Sequence, residues 1–256
     1  MPDDPRGQVR VEQSAKRVRT YLGGELLADS IHPRLVWEKP QYPAYYLPRE
    51  DVRTELLTPS SRTEHSPSRG TAQYFHVKGG DRLVEDGARA YPESPCVELR
   101  DLIRFDFRAM DAWFEEDEPI GVHPRDPYTR VDVLASSRHV EVAINGVKVA
   151  ETSQPRILFE TGLPPRYYIP LTDVRMDLLR ASGSETQCPY KGTANYWSVQ
   201  AGDELAEDVV WTYRTPLLES VKIAGLVCFY NERVDLTVDG VLQERPQTAF
   251  SPRRAS

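Results

Sequence analysis

The chain has 256 residues, 39% of them apolar, and a formal charge of −7. That length fits one large domain or two of about 125 residues. No apolar run approaches the roughly 18 residues of a membrane span. Lys and Arg are interleaved with acids rather than clustered, so neither a membrane nor a nucleic-acid partner is expected.

Met1 to Ser14 is polar, lacks the apolar core of a secretory leader, and reads as a tail, disordered or docked. Cys96, Cys188 and Cys228 are odd in number and lack CxxC spacing. A disulfide framework and a zinc site are therefore not expected, and a reduced, cytoplasmic setting is.

Residues 17–81 return without a gap at 139–203, an offset of 139 − 17 = 122, with 24 of 65 positions identical. The densest identities pair Tyr45-Tyr46-Leu47-Pro48 with Tyr167-Tyr168-Ile169-Pro170, Asp51-Val52-Arg53 with Asp173-Val174-Arg175, and Gly70-Thr71-Ala72 with Gly192-Thr193-Ala194. One domain is written twice. The first repeat is placed at 15–121, a Pro-rich connector at 122–138, the second repeat at 139–246 and a C-terminal tail at 247–256.

In chain order, the first repeat turns at Gly23-Gly24. The acid run Glu115–Glu118 and the prolines that follow predict a non-helical connector lying against a domain, with Val131–Ser137 in that docked stretch. Val140, Val142 and Ile144 then alternate with His139, Glu141 and Ala143. With Asn145-Gly146 and Val147–Ala150 they predict a hairpin. Strands follow at Arg156–Phe159 and Arg166–Ile169. Pro170–Leu179 places Leu171, Val174 and Leu178 on one face, predicting a helix capped by Thr172. Strands at Ala194–Val199 and Val209–Tyr213, a short helix at Leu218–Ile223 and a hairpin at Val234–Leu242 complete the repeat. The tail 247–256 is expected to fray. The fold class is mainly β: two homologous domains in tandem with a few short helices.

Tyr-Tyr-x-Pro, Asp-Val-Arg, Cys188-Pro189-Tyr190-Lys191-Gly192-Thr193-Ala194-Asn195-Tyr196-Trp197 and Tyr230…Arg233-Val234-Asp235 together resemble the domain-of-unknown-function 427 family. The connector His123-Pro124-Arg125-Asp126-Pro127-Tyr128 resembles the join of its tandem members. The resemblance covers about 15–246. It implies a β-tent architecture, shared with methionine sulfoxide reductase B and the drug-binding domain of cereblon. The zinc of those relatives is not carried over, because the CxxC pairs are missing. Members are sometimes labelled nucleotidyltransferase-like, but the chain has no GxxxxGK[ST] loop and no carboxylate pair placed for magnesium. No cofactor is predicted.

The loop Cys188–Gly192 is the candidate catalytic site. Lys191 is placed to lower the Cys188 thiol pKa and supply a thiolate nucleophile. The competing reading is a half-buried cysteine beside a surface lysine. The first repeat has Ser66-Pro67-Ser68-Arg69-Gly70 there, so the second repeat is expected to work and the first to be a degenerate scaffold. Candidate ligand-binding residues are Tyr168, Tyr196, Trp197 and Trp211, with alternation along a strand letting only one of Tyr196 and Trp197 face a given wall. Arg156, Glu160, Asp173 and Arg175 add charge; their counterparts Arg34, Glu38, Asp51 and Arg53 argue equally for structural ion pairs. His65, His76, His123 and His139 show no ligand spacing.

The function expected is a small-molecule site in the second repeat, with cysteine/lysine-assisted enzyme chemistry on a small metabolite. The alternative is a non-catalytic ligand-binding or protein-interaction scaffold. Whether the chain is an enzyme stays open. A monomer with pseudo-twofold pairing of its repeats is expected.

Overall fold

The structure is a computed structural model that describes residues 9–252. Residues 1–8 and 253–256 of the two expected tails lie outside the described residues. The chain divides into two compact units between Asp126 and Pro127.

In the first unit the strands are β1 Arg10–Gln13, β2 Val18–Leu22, β3 Glu25–Ser30, β4 Arg34–Lys39, β5 Tyr42–Pro48, β6 Leu57–Ser66, β7 Gly70–Gly79, β8 Arg82–Ala90, β9 Leu102–Phe105, β10 Ala112–Glu115 and β11 Glu118–Ile120. The second unit has β12 Val131–Ala135, β13 Val140–Ile144, β14 Val147–Thr152, β15 Arg156–Glu160, β16 Arg166–Ile169, β17 Leu179–Cys188, β18 Gly192–Ala201, β19 Glu204–Tyr213, β20 Val227–Phe229, β21 Asp235–Val238 and β22 Val241–Leu242. Each unit holds a seven-stranded and a four-stranded sheet. The orders β1-β4-β5-β9-β8-β7-β6 and β11-β10-β2-β3 recur, strand for strand, as β12-β15-β16-β20-β19-β18-β17 and β22-β21-β13-β14. The helical segments among the described residues are short 3-10 turns. None is long and apolar enough to cross a membrane.

The strand register moves the repeat boundaries outward. Arg10–Gln13 pairs with Trp37–Arg34, and Asp132–Ala135 pairs with Phe159–Arg156 in the same way. Residue 10 therefore matches residue 132 at the offset of 122. The end of the supposed tail and the end of the supposed connector are the first strands of their repeats.

Alternation along each strand divides the seven-stranded sheet into two faces. Tyr45, Leu47, Ile103 and Phe105 point inward with Val18, Leu22 and Trp113 to form the core shared with the small sheet. Tyr46, Tyr74, Leu102 and Val36 point outward, where Leu99 and Tyr91 cover them. The second unit repeats the plan, with an inner core around Val140, Ile169 and Phe229. Its outer cluster holds Tyr168, Tyr196, Trp211, Tyr213 and Cys228.

The helix expected over Pro170–Leu179 is instead two 3-10 turns, Leu171–Asp173 and Met176–Leu178. Val174 between them is extended, at φ −118° and ψ 140°. It bridges to Ala150, and the Arg175 amide donates to the Val149 carbonyl at 2.9 Å. Tertiary pairing with β14 thus breaks a locally plausible helix. The C-terminal tail also differs from expectation. Far from fraying, its described part is folded on the second unit, with the Thr248 hydroxyl donating to Glu232 at 2.6 Å.

In the first unit the β2–β3 turn approaches the β7–β8 turn closely. A Cβ on Gly79 would lie 2.2 Å from the Leu22 carbonyl oxygen, and one on Gly23 would lie 2.0 Å from the Gly79 oxygen.

Candidate functional site

The site grows from the outer face of the first unit's large sheet. Ala88 and Ala90 of β8 belong to the inner core, so Arg89 between them points outward. Ile103 and Phe105 do the same for Arg104 on β9, and Arg89 and Arg104 are directly paired across the two strands. Both reach Glu38 at the end of β4. Arg89 Nη2 donates to the two Glu38 oxygens at 2.8 and 2.9 Å, Arg104 Nε lies 3.2 Å from Oε1, and the Tyr46 hydroxyl donates to the same oxygen. Burial alone would raise the Glu38 pKa. The Arg104 and Arg89 charges and the Tyr46 and Arg89 hydrogen bonds outweigh it and hold Glu38 at about 2. The network continues through Arg89 Nη1, which donates to the Tyr74 hydroxyl at 3.4 Å. That hydroxyl donates to Glu64 at 2.7 Å.

Glu38, Glu64, Arg89 and Arg104 wall a cavity of about 380 Å³ that also meets Lys39, Tyr42, Ser66, Arg69, Tyr91 and Asp106. A second cavity of about 150 Å³ shares Glu64, Arg89, Arg104 and Asp106 with it and reaches Arg62 and Asp86. The larger one carries four cations, Lys39, Arg69, Arg89 and Arg104, against three acids, Glu38, Glu64 and Asp106. Arg89 and Arg104 already saturate Glu38, which leaves Arg69 to donate from Nε to the Tyr91 hydroxyl at 3.2 Å. No carboxylate lies within ion-pair distance of Arg69 among the described residues.

The second unit places the same positions differently. Glu160, Tyr168, Tyr196 and Tyr213 match Glu38, Tyr46, Tyr74 and Tyr91, and Lys191 replaces Arg69. Trp211 is paired with Cys228 where Arg89 is paired with Arg104. With both arginines replaced, Glu160 takes the Lys191 ammonium instead, in a pair whose side chains are 9% and 10% exposed. The outer face is packed with rings: Trp211 Nε1 donates to the Tyr168 hydroxyl at 3.2 Å, and Trp211 lies 4.5 Å from Tyr230 between ring centroids.

Of the residues singled out from the sequence, Tyr168, Tyr196, Trp211 and Cys188 gather on this outer face, and Glu160 and Lys191 meet beside them. Trp197 packs on the inner core instead. Arg156 is paired with Tyr168 across β15 and β16. Asp173 accepts from Thr152 at 2.6 Å and Arg175 pairs with Asp177, both on the turns after β16 and apart from the cluster. Lys191 is bonded to Glu160, and no bond links it to Cys188 among the described residues. The loop chosen from the sequence is nonetheless in register with the cavity: Ser66 and Arg69, the counterparts of Cys188 and Lys191, both line it. Sequence reasoning missed Arg89 and Arg104. Arg89 was within reach, because Arg89-Ala90-Tyr91 aligns with Trp211-Thr212-Tyr213 at the same offset of 122.

One further cluster brings His139, Glu141 and Glu151 together. Lys148 lies among them, 2.5 Å from Glu141 and 2.8 Å from Glu151, and His139 Nε2 is 3.0 Å from Glu151. The ammonium supplies the counter-charge that a cation would bring.

The twofold recurrence of this two-sheet unit, each with a tyrosine–glutamate outer face, defines a tandem-repeat β protein. The family described as a domain of unknown function (DUF427) matches residues 10–116 and again residues 132–240. The chain belongs to that family, and each match begins at the first strand of its repeat. No curated protein matches the chain.

Proposed function

We propose that the protein binds a small anionic molecule, bearing a phosphate or carboxylate, in the cavity of its first repeat. The observation that carries this is Arg69. It is a cavity-lining guanidinium bonded to Tyr91 and to no carboxylate among the described residues. A planar guanidinium favours oxyanions that present two acceptor oxygens side by side, as carboxylate and phosphate do. Arg89 and Arg104 beside it are held by Glu38, and Arg89 also by Tyr74, so their placement costs little entropy on binding. A volume of about 380 Å³ suits a metabolite rather than a polymer.

Thiol chemistry at Cys188 is not favoured by a specific contact, since the ammonium it needs is engaged by Glu160. Binding without covalent chemistry is the reading supported.

Titration calorimetry with orthophosphate, small mono- and dicarboxylates and nucleoside monophosphates tests the proposal. At least one should bind saturably with one site per chain. Arg69→Ala should weaken it about tenfold or more, as expected for loss of a charge-assisted hydrogen bond, and Lys191→Ala should leave it unchanged. Absence of saturable binding across the panel, or indifference to Arg69→Ala, would overturn the assignment.

A further inference from the structure

The second repeat's outer face meets a segment that the repeat itself does not contain. The family match ends at residue 240, and Pro246–Ser251 folds back onto Arg166, Tyr230 and Glu232. Arg166 and Glu232 form a two-bonded ion pair at 2.7 and 2.8 Å, with side chains 7% and 0% exposed. The Thr248 hydroxyl donates to Glu232 Oε1 at 2.6 Å. The Phe250 ring lies 5.7 Å from Tyr230 and 5.7 Å from the Arg166 guanidinium carbon. The segment is also stapled to itself. Phe250 N–H donates to Thr248 Oγ1 at 3.0 Å, Thr248 N–H to Ser251 Oγ at 3.0 Å, and Ser251 Oγ–H to the Pro246 carbonyl at 3.2 Å.

Two of the residues it touches have counterparts on the first repeat's cavity wall. Arg166 matches Ala44 at the offset of 122, and Tyr230 matches Asp106, because Phe229 and Phe105 hold the same register. Ala44 and Asp106 both line the open cavity. The first repeat's own trailing segment comes to the same neighbourhood: the His123 ring stacks on Tyr42, another lining residue, at 4.0 Å and 15°.

We propose that the second repeat is a peptide-binding site for a hydroxyl-x-aromatic motif, occupied in cis by Thr248-Ala249-Phe250. Glu232 reads the hydroxyl, while Arg166 and Tyr230 take the aromatic ring by cation–π and ring contact. Tethering raises the effective concentration of the segment, so modest contacts hold it in place. This inference is independent of the anion proposed for the first repeat.

The test uses the full chain carrying Thr248→Val and Phe250→Ala, which weakens the resident segment, and a fluorescein-labelled peptide of residues 244–252 with the natural sequence. Anisotropy titration should show saturable binding to the variant. Binding to the wild-type chain should be at least tenfold weaker, because its own segment competes. A peptide with Phe250→Ala should also lose about tenfold, the order expected for an aromatic contact, and Tyr230→Ala added to the variant chain should lower binding likewise. A folded variant that binds no peptide, or binds the natural and altered peptides alike, would overturn the site. Hydrogen exchange on the wild-type chain gives a second reading that needs no variant. The amides of Thr248, Phe250 and Ser251 should exchange at least tenfold more slowly than in the free peptide, and equal rates would refute the docking.

Discussion

Arg89 holds Glu38 through a single nitrogen, Nη2, which lies 2.8 Å from one carboxylate oxygen and 2.9 Å from the other. The other amino group is thereby left to reach Tyr74, so one guanidinium joins two acids, Glu38 directly and Glu64 through the tyrosine. The first repeat's outer face is organised around this connection.

Glu38 should make acid stability depend on pH in a defined window. Its folded pKa of about 2 lies below the ordinary glutamate value of about 4.5. A depressed carboxylate stabilises the fold above about pH 4.5, and that contribution is lost as pH falls towards 2. The full contribution is at most about 3 kcal/mol, of which about 2 kcal/mol is gone by pH 3. Urea unfolding at pH 7 and pH 3 should show this loss in the wild type, and Glu38→Gln should show a drop smaller by that amount.

The buried Arg166–Glu232 pair should behave as a unit. Glu232→Gln or Arg166→Met alone leaves a charge buried without its partner and should destabilise the second unit by about 3 kcal/mol. The double variant should recover part of that loss, since neither charge then remains. A double-mutant cycle by chemical denaturation measures the coupling; strict additivity would show that the two side chains do not depend on each other.

Gly79→Ala should cost about 2 kcal/mol or more, because the new Cβ meets backbone at Leu22 that cannot swing aside. Gly146→Ala meets nothing within 4 Å but sits at φ +77°, so it should cost about 1 kcal/mol from backbone strain alone. The second repeat carries Ala201 at the position of Gly79, buried without conflict. Thermal melts of the two alanine variants should therefore separate clearly, with Gly79→Ala the lower.

The three cysteines should differ in alkylation. Burial pushes the Cys228 thiol up to about 12, and it is fully enclosed. Iodoacetamide at pH 8 should label Cys188 and Cys96, both half-buried, while Cys228 stays unmodified until denaturant is added. Peptide mapping by mass spectrometry reads each site separately.

Much of this architecture is legible in the sequence because it is local. Asn145-Gly146 and Asp239-Gly240 announce their hairpins, and the strands alternate visibly around them. The repeat itself exposes the loop that walls the cavity, through Ser66–Gly70 and Cys188–Gly192. What stayed hidden is non-local. Arg89 lies 51 positions from Glu38, and the strands carrying it and Arg104 are joined by an irregular stretch that breaks a gap-free comparison. Their counterparts Trp211 and Cys228 share no chemistry with arginine, so similarity between the repeats could not mark them. A thiol beside an amine favours the second repeat in the sequence, but it does not show that losing two arginines hands that amine to Glu160. The interrupted helix at Val174 is of the same kind, since its cause is a bridge to a strand 24 residues earlier (174 − 150).

Four cations facing three acids leave the first repeat's cavity almost neutral. Such a chamber exerts little pull on a distant guest, so arrival rates should respond only weakly to ionic strength. Selection happens on contact: an oxyanion must fit the spacing of donors already fixed around it, and a guest of the right charge with the wrong outline gains nothing from the approach.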